Sequence, residues 1–297
     1  MTEPPEASAV DIAALLVAMR PRLHRYCARM VGSVIDGEDV LQDALIKAVE
    51  AHAAGEIGNP IANPEGWLFR IAHNTALDFL RKHQRQEALR GDAEVDMMPD
   101  QLDAVTSRQI ASASLRTFMR LPVAQRAGVI LMDVLGCSLQ EICEIMACSL
   151  PAAKAALHRG RTQLREYAGE PEDTPQHKLS DADRARLGAY VAHFNARDFD
   201  AIRAMISDDV RLDLVSKTRL NGKAEVSRYF GNYSSVSDWH LVPALVEGHP
   251  AILVFDPDDR DSGPKYFVLL DWADGKVVTI RDFRHAPYVI DGAEYSI

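Results

Sequence analysis

The period of the hydrophobic pattern changes once along this chain, and that change limits what it can fold into. Up to about residue 168 apolar residues recur at three- and four-residue steps and β-branched runs are scarce, which predicts helices. Val40, Leu41, Ala44, Leu45 and Ala48 make one such stripe, with Asp39, Gln42, Asp43 and Lys47 on the other faces. From about residue 179 two amphipathic helices (181–196 and 198–207) give way to apolar runs at 210–215, 239–246, 251–255, 266–272 and 277–283, with turn signals at Asp256-Pro257 and Asp274-Gly275. Two polar stretches interrupt the pattern: an acidic one at 89–103 and a Pro-containing one at 169–178. The expected organisation is two all-α modules, 10–88 and 104–168, then an α+β module at 179–297.

At 297 residues and 47% hydrophobic the chain is long enough for two or three small cores. It carries no apolar run near the roughly 20 residues of a membrane span. Its start, with Glu3 and Glu6 and no cation, lacks the pattern of a secretory signal, so a cytoplasmic protein with no membrane role is expected. Cys27, Cys137, Cys143 and Cys148 are spaced unlike zinc-binding pairs and are read as small buried hydrophobes; neither metal nor cofactor is expected. A net charge of -10 argues against nonspecific coating of nucleic acid. The segment from Arg108 to Glu166 is nevertheless locally basic, with eight cations against four anions.

Within that basic segment Ser138-Leu-Gln-Glu141 is a capping box opening a short helix with Ile142, Ile145 and Met146 on one side. A turn near 147–149 leads to a second helix, about 150–167, with Pro151 in its first turn and Leu157 and Leu164 facing inward. Lys154, His158, Arg159, Arg161 and Arg165 remain for its outer faces. A short helix, a tight turn and a longer basic helix suit a helix-turn-helix entering a major groove; a helical hairpin with a solvated charged face fits the same residues.

Over residues 10–168 the chain resembles the extracytoplasmic-function (ECF) sigma factors of the sigma-70 family. Leu121-Pro-Val-Ala-Gln-Arg126, Asp133-Val-Leu-Gly-Cys-Ser-Leu-Gln-Glu-Ile142 and Lys154-Ala-Ala-Leu-His-Arg-Gly-Arg161 carry the resemblance to their promoter-distal DNA-binding domain. Asp36-Gly-Glu-Asp39-Val-Leu-Gln42-Asp43-Ala-Leu-Ile-Lys47 is similar to the helix those proteins press on RNA polymerase. Pro64-Glu-Gly-Trp67-Leu-Phe-Arg70-Ile-Ala-His-Asn74, running on to Arg81 and Lys82, is similar to the helix that opens the upstream promoter element. The resemblance implies core RNA polymerase as partner, through its β′ clamp helices and β flap, and promoter DNA as the other. Asp39, Gln42, Asp43 and Lys47 would meet the polymerase; Trp67, Arg70, Asn74, Arg81, Lys82, Lys154, His158, Arg159 and Arg161 would meet DNA. Asn59 and Asn63, in the intervening loop, would read a flipped base. Trp67 fits a base-stacking platform and the hydrophobic core equally well. The recognition helix departs from the family at Ala152 and Ala156, where a Thr and a second cation are usual, which implies fewer DNA contacts.

The stretch from Leu187 to Asp213 resembles the opening of a SnoaL-like domain of the nuclear-transport-factor-like superfamily, so a cone-shaped barrel of curved sheet around helices is expected. Such domains also end some ECF sigma factors, where they modulate activity, implying an intramolecular contact with the sigma domains. The tail, Arg281 to Tyr288, mixes cations and aromatics and lacks the Asn-Pro-Asp-Lys-Leu-like ending of one group of these fusions. Asp213, Asp271, Asp282, His193 and His240 are the candidate acids and bases if the pocket were catalytic, although no enzyme is expected. A polymerase-independent, ligand-sensing DNA-binding regulator is the alternative.

Overall fold

The computed structural model describes residues 11–55, 63–88, 113–168, 178–233 and 239–297. The chain divides into two compact units, Met1–Glu172 and Asp173–Ile297.

The first unit is helical. α1 (Ile12–Val31) starts at Asp11, whose carboxylate accepts the N–H groups of Ala13 and Ala14, and ends at Gly32 in the left-handed conformation. α2 (Val34–Ala53) starts at Ser33 and buries Val40, Leu41, Ala44, Leu45 and Ala48, the stripe read from the sequence. The two helices approach closely at Gly37, where an added Cβ would lie 2.6 Å from the Ala28 Cα, so only glycine fits. α3 (Pro64–Ala88) packs on both. Tyr26, Leu41, Leu68 and Phe69 are fully buried among them. The Tyr26 hydroxyl and His73 Nδ1 are hydrogen-bonded at 2.6 Å, and His24 Nε2–H donates to the Val34 carbonyl at 2.9 Å.

Among the described residues four shorter helices follow: α4 (Leu115–Met119), α5 (Val123–Val129), which runs on into a π-helical turn (Ile130–Val134), α6 (Leu139–Met146) and α7 (Leu150–Ala168). They pack on the first three, α4 and α5 against α1 and α6 against α3. Arg126 lies at the centre of this seam. Its guanidinium, 4% exposed, donates to the carbonyls of Met119 (3.1 Å), Leu121 (3.0 Å) and Met30 at the end of α1, and to the Met119 sulfur. A buried guanidinium is tolerated because its two terminal nitrogens find acceptors, while Nε is left without one.

The second unit is α+β. α8 (Asp181–Asn195) and α9 (Phe199–Met205) lead into a seven-stranded sheet, with α10 (Lys223–Tyr233) between its second and third strands. The strands are β1 (Ile206–Leu214), β2 (Thr218–Asn221), β3 (His240–Val246), β4 (His249–Phe255), β5 (Tyr266–Ala273), β6 (Lys276–Asp282) and β7 (Tyr295–Ser296). Their order is β2-β1-β6-β5-β4-β3-β7. All neighbours are antiparallel except β1 and β6. Helix α8 lies on β3 and β4, and Phe194 gathers Phe199, Phe230, Tyr233 and Trp239 around it in an aromatic core.

Candidate nucleic-acid interface

Three exposed helix faces carry the polar residues singled out above. On α2, Asp39 and Asp43 are exposed and Gln42 is half-buried. Gln42 also lines a groove of about 470 Å³ formed with Leu16, Val17, Leu45, Ile46 and Val49. Val17, Ile46 and Val49 are each about half exposed or more, at 72%, 50% and 49%, so an acidic patch adjoins an open apolar one. Lys47 differs from its neighbours: its ammonium donates to Thr75 Oγ1 at 3.2 Å and lies 3.9 Å from Asp78, which ties α2 to α3.

On α3, Arg70, Asn74, Arg81 and Lys82 are exposed and Trp67 is half-buried. Spacings of three and four place Trp67, Arg70, Asn74, Asp78 and Arg81 along one side of the helix. Asp78 sits in that row and accepts from Arg81 at 3.1 Å. Asn63 caps the helix, its Oδ1 accepting the Gly66 N–H at 2.9 Å. That bond occupies the oxygen a base reader would use. Asn59 lies outside the described residues.

The helix-turn-helix forms as the capping box requires. Ser138 Oγ accepts the Glu141 N–H at 3.3 Å while the Glu141 carboxylate accepts the Ser138 N–H at 2.7 Å; these bonds hold the Glu141 carboxyl below its usual range. Ile142 and Ile145 are buried, and Leu157 and Leu164 of α7 face inward. Lys154, His158 and Arg159 are exposed on α7. Arg161 departs from the expectation of an outward cation: it is half-buried and bound through two nitrogens to Asp133, at 2.9 and 2.5 Å. The Asp133 side chain is only 3% exposed, so Arg161 neutralises a buried carboxylate.

In the second unit the five candidate acids and bases do not form one constellation. Cross-strand partners share a face of a sheet and successive residues alternate. Asp282 pairs with Leu214 and Val268, while Asp213 pairs with Arg281 and Asp271 with Thr279, so Asp213 and Asp271 face away from Asp282. His193 lies beside Asp198 at 3.4 Å, and His240 stands at the start of β3. Asp282 is fully buried and accepts from the Tyr229 and Tyr233 hydroxyls of α10, the latter at 3.1 Å, and from the Arg284 N–H at 2.8 Å. Loss of water raises its proton affinity against the lowering effect of those bonds. Sequence reading named Asp282 but neither tyrosine, because α10 itself gave no signal. Among the described residues no group of three His, Cys, Asp or Glu is placed to hold a metal, and no helix is long and apolar enough to cross a membrane.

Comparison with known proteins matches these pieces in order. Residues 15–86 match Sigma-70 region 2 and residues 115–164 match Sigma-70, region 4. The ECF RNA polymerase sigma factor SigW of Bacillus subtilis is 30% identical over 162 residues, 50% of this chain and 83% of SigW. The RNA polymerase sigma factor CarQ of Myxococcus xanthus is 34% identical over 157 residues, 51% of this chain and 86% of CarQ. This chain belongs to the ECF sigma factor family. As in that family, the sigma portion is the helical unit; residues 187–280 of this sigma factor match a SnoaL-like domain. The ECF RNA polymerase sigma factor SigG of Mycobacterium tuberculosis is similar through both parts, at 25% identity over 283 residues, 85% of this chain and 75% of SigG.

Proposed function

We propose that this sigma factor docks on core RNA polymerase through Asp39, Gln42, Asp43 and the apolar groove beside them. It then opens the upstream promoter element with Trp67, Arg70, Asn74, Arg81 and Lys82 and reads the distal element with Lys154, His158 and Arg159. The single observation that carries this reading is the sorting of each helix. The apolar face of α3 and α7 and most of that of α2 is spent on the core, and the exposed face is acidic beside an apolar groove on α2 and basic on the two DNA-facing helices. Exposed cations at helical spacing hold phosphates, and a half-buried indole beside exposed amide and guanidinium groups suits unpaired bases. Lys47, Asn63 and Arg161 serve the fold in this reading, as an inter-helix tie, a helix cap and the partner of Asp133.

The SnoaL-like unit acts here as a regulatory domain and not as a catalyst. Asp282 is engaged by two tyrosines, and Asp213 and Asp271 lie on the opposite face of the sheet, so neither shares a site with Asp282. Because the chain as a whole is acidic, the purified protein binds DNA weakly by itself, and polymerase supplies the remaining contacts.

Run-off transcription from a genomic fragment library with purified core polymerase tests this. The full chain gives promoter-specific transcripts, Asp39→Arg with Asp43→Arg removes them along with core binding, and a chain ending at Glu172 changes their yield. Transcription unaffected by the double charge reversal would sink the docking assignment.

A further inference from the structure

The turn of the helix-turn-helix brings two thiols together. α6 ends with Ala147 in the left-handed conformation, at φ 50°, and the Cys148 N–H bonds back to the Cys143 carbonyl at 3.1 Å. This is the six-to-one bond of a Schellman ending, which carries the residue after the left-handed position back over the last turn of the helix. The two positions so joined ordinarily hold apolar side chains in contact. Here both hold a thiol, so the contact this ending ordinarily makes is thiol to thiol. That backbone bond draws the two residues together over the last turn of the helix. Cys143 and Cys148 are half-buried and reachable from solvent, whereas Cys27 and Cys137 are buried.

We propose that Cys143 and Cys148 are a reversible dithiol–disulfide pair, a modification site in the turn that sets the recognition helix, with hydrogen peroxide as the oxidant. The thiolate of Cys143 attacks one peroxide oxygen; the O–O bond breaks, the departing hydroxide takes a proton to become water, and Cys143 becomes a sulfenic acid. The Cys148 sulfur then displaces the hydroxyl from the Cys143 sulfur, the S–S bond forms, and the second water leaves with the Cys148 proton. Two thiols lose two protons and two electrons, and one peroxide is reduced to two waters. The closed ring ties the end of α6 to the residue before Ser149, whose hydroxyl and carbonyl accept the first N–H groups of α7. Oxidation thus fixes the angle between the two helices of the motif without requiring either to move. The proposal goes beyond the promoter-binding assignment and does not depend on it.

The experiment uses the reduced full-length chain, treated with stepwise hydrogen peroxide, quenched, denatured, alkylated and mapped by mass spectrometry without reductant. The expected product is a peptide two hydrogens lighter, with Cys143 and Cys148 both protected from alkylation and Cys27 and Cys137 both alkylated. Dithiothreitol restores the original mass. Cys148→Ser stops the reaction at a Cys143 sulfenic acid that dimedone traps. The proposal fails if Cys143 and Cys148 remain alkylatable at peroxide concentrations that oxidise glutathione in the same tube. It fails equally if the linkage found joins Cys137 or another molecule.

Discussion

His24 and His73 are held neutral inside the helical unit, each with its proton affinity pushed down to about 4, by loss of water foremost. Between there and the ordinary histidine value near 6.5 the unfolded chain binds protons that the folded one refuses. Their stabilising contribution is therefore complete above that value and is lost as pH falls towards 4. Each histidine withdraws on the order of 3 kcal/mol over this range. Urea unfolding of the helical unit at pH 7.5 and pH 5 is expected to show a lower midpoint in acid, and His73→Gln to lessen the drop. Asp282 works in the opposite direction. Its raised affinity means that the folded state holds a proton that the unfolded state releases, so stability declines as pH rises out of the ordinary carboxylate range. Asp282→Asn keeps an acceptor for Tyr229 and Tyr233 and removes that decline; melting both proteins at pH 4 and pH 7 should show the variant gaining on the parent at the higher pH. Neither behaviour was legible in the sequence. His24 and His73 are each one of several polar residues in their helices, and burial, which sets their affinities, depends on neighbours ten and 47 positions away.

Elements fared better where a local rule decides them. The Ser138–Glu141 box, the helix it opens and the run of α7 to Ala168 follow from spacing alone, because capping is settled within one turn. Ser138→Ala is expected to cost about 1 kcal/mol, read as a lower urea midpoint for the helical unit with an unchanged slope. The strands also fall within two or three residues of their apolar runs, save β1, which begins four residues early at Ile206. β2, β7 and α10 were not anticipated: β2 and β7 are four and two residues long with mostly exposed residues, and α10 carries the weak helix formers Ser227 and Gly231. Arg126 escaped notice for a different reason. In the sequence it is one of eight cations in a basic segment, and only the packing of α4 and α5 on α1 turns it inward. Arg126→Lys retains the charge but lacks the planar fork that reaches carbonyls of Met30, Met119 and Leu121. A destabilisation of about 3 kcal/mol or more is expected by the same measurement.

At the scale of the whole chain the change of period past residue 207 did foretell that an α+β portion follows a helical one. It could not foretell that the first two helical modules would share one compact unit, since the residues that join them are separated by about a hundred positions. A chain ending at Glu172 is expected to unfold cooperatively by circular dichroism, with the helical signal of the parent's first unit. The register of the second unit adds something about time. Its first strand, β1, has as its parallel neighbour β6, the last long strand to be made. On a ribosome adding roughly 5–20 residues each second, the stretch of about 110 residues from Glu172 to Asp282 takes several seconds or more to appear. A newborn sigma portion is thus complete well before its appended domain can close its sheet, and any control that domain exerts begins only after this interval.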